Sequence, residues 1–351
     1  MAKSVVGFFE MVKIMSYTVV CCTEIADPHW RWIEKSFDRS NVRFEFARCV
    51  PRYKFEENKW LNFARIRGCY NAVRLAQKTK AHILVTHGPT VAAWCCIFSS
   101  LMGLRIPILA HGFNFTALPN SLKRLLFARA LRRVDRFVVF STVERALYAH
   151  AFGLPLDRFD LVLWSVNPPK VDNPEAPFQA GDYVSAIGGN ARDYRTLLSA
   201  ACQLPHIQFV LVVRPESLRG LEIPRNVLTY VNLPNGLTMN VLFYSRFMVL
   251  PLADASVPCG HVTLVAAMHL GKAFIVTDSL GVRDYIRNGE NALTVPATSV
   301  GDLVATIEGL WDNRLLCTQL GENGQRFAER ECSEERITEH FRGWLAVKGV
   351  A

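Results

Sequence analysis

The sequence predicts an α/β protein made of two Rossmann-like, doubly wound domains that face each other across a cleft. Three observations lead there. Short apolar, β-branched runs alternate with helix-period segments along the chain, which is the pattern of parallel sheets covered by helices on both faces. The alternation breaks once, at Asn167–Asp182 (NPPKVDNPEAPFQAGD), where four prolines can propagate neither helix nor central strand. And 351 residues, 50% of them hydrophobic, exceed one ordinary core and suit two domains of about 150–180 residues each. The expected division is 1–166, a proline-rich linker at 167–182, a second domain at 183–333, and a last helix at 334–351 that can cross back to the first domain.

In the first half, strands are expected at Tyr17–Cys22, Val42–Ala47, His82–Thr86, Ile106–Ala110, Phe137–Phe140 and Leu161–Trp164. Between them lie helices at Trp60–Gln77, Val91–Leu101, Ser121–Arg133 and Val143–Phe152. The first of these carries apolar residues at 60, 63, 66, 70 and 73, one helical face. In the second half, strands at Tyr183–Ile187, Gln208–Val213, Val227–Val231, Phe247–Leu252 and Ala273–Thr277 alternate with helices at Tyr194–Gln203, Leu237–Tyr244 and Val262–Leu270. Ser299-Val300-Gly301-Asp302 reads as a capping-box start, and two further helical segments close the chain, the last over Glu334–Val347.

Composition narrows the function classes. Forty Lys plus Arg against 31 Asp plus Glu give a formal +9, a field that favours anionic partners. No reader motif for nucleic acid accompanies it, so nucleotide phosphates or an anionic membrane face are the better expectation, and nucleic acid is not. The ten cysteines contain no C-x-x-C pair and several sit in apolar runs, which reads as buried free thiols in a reducing, cytoplasmic compartment, without a disulfide framework or a metal site. MAKSVVGFFEMVKIM carries Glu10 and Lys13 and is not read as a signal peptide. Pro89–Leu104 is apolar but short for a membrane span and reads as a buried helix and the start of a strand. Asn114-Phe115-Thr116 matches a glycosylation sequon, which has no use in a cytosolic chain.

In open α/β sheets, ligands bind beyond the carboxyl ends of the strands, so the loops after strands are where chemistry is sought. One such loop is Gly188-Gly189-Asn190-Ala191-Arg192, running into a helix; glycines admit close backbone approach, and Arg192 offers a bidentate fork to a phosphate, or simply lies on the surface. A second is the segment from Pro251 to Gly271, where Gly260, His261 and Thr263 open a helix whose first amides lack intrahelical partners and can meet a diphosphate. His261 is either a donor ligand or a residue of the cap. Gly281–Asn291, with its Asn288-Gly289 turn, reads mainly as scaffold. Arg214 and Asn232 follow strands at the carboxyl edge; Arg214 can meet a diphosphate and Asn232 a base, or each simply lies on the surface.

The run PLADASVPCGHVTLVAAMHLGKAFIVTDSLGVRDYIRNGENALTVP, together with GGNARDY, resembles the group 1 retaining glycosyltransferases of the GT-B fold, glycosyltransferase family 4 and its relatives. The likeness spans Tyr183 to Pro296 and includes the order loop, helix ending in Ala-Met, glycine, strand, Asn-Gly and closing strand. It implies transfer of a sugar from a nucleotide-sugar donor to a hydroxyl of a glycan or lipid-linked acceptor, with the donor as substrate, no cofactor and no metal. It also implies a histidine near the reacting sugar at the end of a strand of the first domain, which points to His111. The family's two glutamates fall by register on Pro258 and Ala266, neither able to bind a ribose hydroxyl; Ser256, His261 and Thr263 are the nearest polar substitutes. Asp27 can line the acceptor side as a base, or form a plain Asp-Pro turn. Ser121 to Arg136 carries six basic residues among leucines and can lie on an anionic leaflet, which suits a peripheral enzyme of cell-surface polysaccharide or glycolipid synthesis. Two alternatives remain: a nucleotide-sugar epimerase of the same fold, for which the donor loop is poor in carboxylates, and a non-catalytic partner subunit.

Overall fold

A computed structural model describes residues 17–31, 33–34, 37, 41–53, 56, 62–171, 182–253 and 258–349. The N-terminal run 1–15, Trp60, most of the proline-rich linker (172–181) and Ser256 lie outside the described residues.

The first sheet holds β1 (Tyr17–Thr23), β2 (Val42–Arg48), β3 (Ile83–His87), β4 (Ile108–His111), β5 (Arg136–Val139) and β6 (Phe159–Leu161), in the order β2-β1-β3-β4-β5-β6. Its helices are α1 (Phe63–Lys78), α2 (Pro89–Leu101), α3 (Ser121–Leu131) and α4 (Thr142–Phe152). The second sheet holds β7 (Val184–Ile187), β8 (Phe209–Val213), β9 (Val227–Val231), β10 (Phe247–Leu250), β11 (Phe274–Thr277) and β12 (Leu293–Val295), in the order β12-β11-β10-β7-β8-β9. With it come α5 (Tyr194–Gln203), α6 (Asn235–Tyr244), α7 (His261–His269), α8 (Val300–Asp312), α9 (Arg314–Glu331) and α10 (Glu334–Val347). All strand pairs are parallel. The strand order reverses between β1 and β3 in the first sheet and between β7 and β10 in the second, so each sheet opens one crevice at its carboxyl edge.

Local caps set the helix starts, opening α1 at Phe63, later than the expected Trp60, and α5 at Tyr194 as expected. Asn62 accepts from the Arg65 amide at 2.8 Å and Asp193 from the Thr196 amide at 3.0 Å. The apolar stretch from Pro89 is α2, with Val91, Ala92, Ala93, Cys95, Cys96 and Ser99 buried, and no helix among the described residues is long and apolar enough to cross a membrane. The expectation of a strand at Leu161–Trp164 is corrected: β6 ends at Leu161, because Leu163 and Trp164 have already left the first sheet to pack on the core of the second.

The halves meet through few, well-formed contacts. Tyr285 of the second half donates its hydroxyl to the Phe140 carbonyl at 2.7 Å and accepts the Trp164 amide at 2.8 Å. Asp284 accepts from the amide and hydroxyl of Thr142, both at 2.7 Å, so its carboxylate sits on the N-terminus of α4. The final helix α10 returns to the first sheet. Phe341 meets Phe37 at 5.5 Å and Phe44 at 6.3 Å between ring centroids, and Phe341, Trp344 and Leu345 share one buried cluster with Val19, Ile83, Leu109 and Val138. Lys348 pairs with Asp135 at 2.8 Å, and the Tyr17 hydroxyl donates to Gly349 at 2.7 Å.

Candidate active site

The switch point of the second sheet faces the first domain, and the two loops that border it are stitched together. The Asp193 amide donates to the Pro251 carbonyl at 2.9 Å, and the Ala253 amide to Ala191 at 3.0 Å. They wall a cleft of about 550 Å³, closed from the other side by Asn114, Phe140 and Trp164 of the first half.

Inside it Arg192 is turned inward. It donates to the Asn190 carbonyl at 2.7 Å, the Thr263 hydroxyl at 3.0 Å and the Ile187 carbonyl at 3.4 Å. None of these carries charge, and among the described residues no carboxylate pairs with it. Burial lowers its pKa from the usual guanidinium value. Arg214, exposed at the end of β8, donates to the Asn190 side-chain oxygen at 2.8 Å, so Asn190 holds both arginines, one by each of its oxygens. The glycines before them serve this arrangement. A Cβ on Gly188, whose φ is +108°, would stand 2.8 Å from Arg192 Nη2, and one on Gly189 would stand 2.6 Å from the Arg214 stem. The expectation that they admit a ligand's backbone approach is thus refined: they make room for the two guanidinium groups. No Asp or Glu lines the cleft among the described residues. Its local field is positive, and its free donors suit an anion.

Gly260 caps α7 with φ +96° and takes the Thr263 and Leu264 amides at 3.0 Å each. The Thr263 amide is therefore occupied, contrary to the sequence reading, and what Thr263 contributes is a hydroxyl under Arg192. The amides of His261 and Val262 meet no acceptor among the described residues. The His261 ring is buried and stacked on Tyr285 at 5.1 Å, and its Nε2 lies 2.8 Å from the Gly281 carbonyl. A carbonyl only accepts, so Nε2 carries the proton, and burial lowers the ring's pKa so that Nδ1 is a bare lone pair. His261 lines the cleft, with Nε2 held by Gly281 and its amide open at the start of α7. Pro258 lines the cleft and Ala266 is buried in the core.

Asn232 does not reach the cleft. It is exposed at the end of the edge strand β9 with φ +54°, and its amide extends the β8–β9 ladder onto the Val213 carbonyl at 3.0 Å. Asp27 is also corrected: it is exposed, and its carboxylate accepts the His29 amide at 2.8 Å, the plain turn. His111 lies next door, in a cavity of about 210 Å³ lined also by His87, Trp30 and Glu334, with Phe140 and Trp164 shared as the partition. Its ring is parallel to that of His87 at 6.0 Å. Burial holds His111 well below the usual histidine value and takes His87 down to about 4, so both are neutral near pH 7.

One residue escaped the sequence reading. Glu144 is fully buried on α4; it accepts the Phe140 amide at 2.7 Å and the Tyr148 hydroxyl at 3.3 Å, and also the side-chain amide of Asn114. It therefore fixes two residues that line the cleft, and Asn114, whose amide it holds, is spent inside the fold. The signal was present as Ser141-Thr142-Val143-Glu144, a capping box.

Residues 216–327 match the family model of the group 1 glycosyl transferases. Solved structures agree over nearly the whole chain. Sucrose-phosphate synthase from Thermosynechococcus elongatus superposes with a TM-score of 0.70 at 13% identity, covering 94% of this chain and 100% of its own. HepE of Anabaena, solved with UDP and glucose, gives 0.71 at 12% identity, with 93% and 99% covered. The fold is GT-B. A third GT-B structure, the lipopolysaccharide outer core galactosyltransferase WaaB, gives 0.64 at 15% identity, with 93% and 100% covered. No curated protein matches in sequence. The chain thus resembles the group 1 enzymes in both its second-half sequence and its GT-B architecture.

Proposed function

We propose that this chain is a glycosyltransferase that moves a glycosyl group from a nucleotide sugar to a hydroxyl of a glycan or lipid-linked acceptor. The observation that carries the reading is the half-buried Arg192, a cation with no carboxylate partner among the described residues, at the switch point of a GT-B second domain. Departure of a nucleoside diphosphate develops negative charge on the leaving oxygen. Arg192, Arg214 and the His261 and Val262 amides stand where that charge would be taken up, without need of a divalent ion or other cofactor. The group 1 likeness supports retention at the anomeric carbon and a hexosyl donor as parts of this proposal. His111 lies on the acceptor side, where its neutral ring orients the sugar, and closure of the halves on the donor excludes water.

Titration of the full chain with UDP and with GDP, followed by thermal melting, tests this. Ligand-linked stabilisation grows with concentration over Kd, so one nucleotide is expected to raise the melting temperature and the other to raise it less. If neither binds at millimolar concentration, the reading fails. A second reading, the non-catalytic partner, is favoured by Pro258 and Ala266 standing where the family has carboxylates. Nucleotide binding with neither donor hydrolysis nor transfer would select it. Nothing comparable favours an epimerase, since the described cleft lining lacks the carboxylates such chemistry uses.

The acceptor class is proposed from α3. Leu122, Leu125 and Leu126 are 81%, 70% and 49% exposed, at the spacing of one helical face. Lys123, Arg124, Arg129 and Arg132 beside them have no carboxylate partner among the described residues, whereas Arg136 is tied to Asp160. Such a face suits the cytoplasmic leaflet, where the acceptor for cell-surface polysaccharide or glycolipid synthesis would be presented. In flotation assays the chain should rise with vesicles of anionic lipid and stay down with zwitterionic ones; Leu122→Asp with Leu125→Asp should abolish flotation. Equal flotation on both vesicle types removes the proposal.

A further inference from the structure

The chain's cysteines are scattered in sequence but not in space. Cys22 stands on β1, Cys49 just beyond β2, Cys69 on α1 and Cys95 on α2. Cys22 Sγ lies 3.8 Å from Cys49 Sγ, and the sulfurs of Cys22, Cys69 and Cys95 all fall within 4.8 Å of one another. All four are buried, at 1%, 5%, 0% and 0% exposure in chain order. Their sequence neighbours are excluded by geometry. Cys21 points to the opposite face of the sheet, among Val19, Ile33 and Phe44, since a strand alternates its side chains. Cys96 lies in the same core as the four but is not one of the group.

We propose that Cys22, Cys49, Cys69 and Cys95 form a structural zinc site in the first domain. Zinc binds thiolates tetrahedrally at about 2.3 Å, which sets the edge of the sulfur tetrahedron near ~3.8 Å. The Cys22–Cys49 separation already has that value, and Cys22, Cys69 and Cys95 need contract by no more than about an ångström to reach it; Cys49, which lies outside that mutual 4.8 Å group, completes the set by turning its side chain inward from the loop after β2. An iron–sulfur cluster would need its cysteine sulfurs spread around an inorganic core, so the spacing favours a single ion. The backbone is cut to fit: a Cβ on Gly68 would stand 2.5 Å from Cys49 Sγ and 2.7 Å from its Cα, so glycine there lets the Cys49 loop close onto α1. On binding, one Zn2+ forms four Zn–S bonds as four S–H bonds break, and the four protons leave to solvent, with no change of oxidation state. The ion would tie β1 and β2 to α1 and α2 at the carboxyl edge of the sheet. Ile25 and Trp30, in the loop that follows Cys22, line the cavity of His111, so the ion braces that side of the cleft.

The test uses the full chain expressed with added zinc and passed through a chelator at low concentration. Elemental analysis should give about one zinc per chain, and p-hydroxymercuribenzoate should release it as thiols are titrated. Chain expressed with cobalt instead should show the thiolate-to-cobalt charge-transfer and tetrahedral d–d bands, a signature that thiol packing cannot give. Cys95→Ser and Cys49→Ser should each lose most of the metal, while Cys202→Ser, at an exposed position, keeps it. Should a variant fail to fold, the cobalt spectrum and stoichiometry of the unaltered chain decide. Substoichiometric zinc with an absent cobalt band, copper in place of zinc, or a Cys22–Cys49 disulfide in the purified chain would each overturn the assignment.

Discussion

Replacing Arg192 by Ala should weaken nucleotide binding about tenfold to a hundredfold, the usual loss of about 1.5–3 kcal/mol when a hydrogen bond to a charged group is removed. Stability should change little. A guanidinium held partly out of water with only neutral acceptors has given up hydration without gaining a counter-ion, so removing it relieves a cost as well as breaking three hydrogen bonds. Retaining such a group suits a site kept ready for an anion at the expense of stability. Arg192→Lys should fall between, because an ammonium keeps the charge but not the fork that spans Asn190 and Thr263. Isothermal titration of each variant with the nucleotide that binds the parent checks this. Unchanged affinity in Arg192→Ala would dismiss the donor site described here.

Glu144→Ala should act in the opposite sense, costing stability first. It strips the Phe140 amide, the Asn114 side chain and the Tyr148 hydroxyl of their common acceptor inside the core. Each buried donor left without an acceptor costs about 1–3 kcal/mol, so losing the shared acceptor of all three costs on the order of 3–5 kcal/mol, or roughly 10 °C of melting temperature in a domain of this size. Glu144→Gln, which keeps one acceptor oxygen for the Phe140 amide, should lose less than half as much. A melting temperature within a couple of degrees of the parent in Glu144→Ala, by calorimetry, would show the network to be unimportant. Because Phe140 and Asn114 line the cleft, the alanine variant should also bind nucleotide or acceptor less tightly at temperatures where it is fully folded.

Much of the architecture was legible because its signals are local. The helix at Tyr194–Gln203 and the strand at Val227–Val231 emerge with the expected bounds, since an N-cap aspartate opens the first and turn residues close the second. The Pro251–Gly271 segment likewise declared a helix N-terminus. What was not legible depends on long-range company. Leu161–Trp164 reads as a strand, but Leu163 and Trp164 are apolar on account of the other domain. The tautomer of His261 follows from a carbonyl twenty residues away and could not be read from its place in a cap. Asn232 follows a strand as Arg214 does; only the strand order, with β9 at the edge, separates the two. The four cysteines come from four separate elements and leave no spacing motif.

The return of α10 to the first sheet bears on synthesis. Tyr17 and Gly349, bonded to each other, are 332 positions apart in the chain. One flank of the earliest sheet, around Val19, Ile83 and Leu109, receives Phe341, Trp344 and Leu345 as its lid. On the ribosome that oily flank stays naked while the entire second half emerges, so maturation of the first half is slaved to the last helix and the nascent chain is a natural client for chaperones.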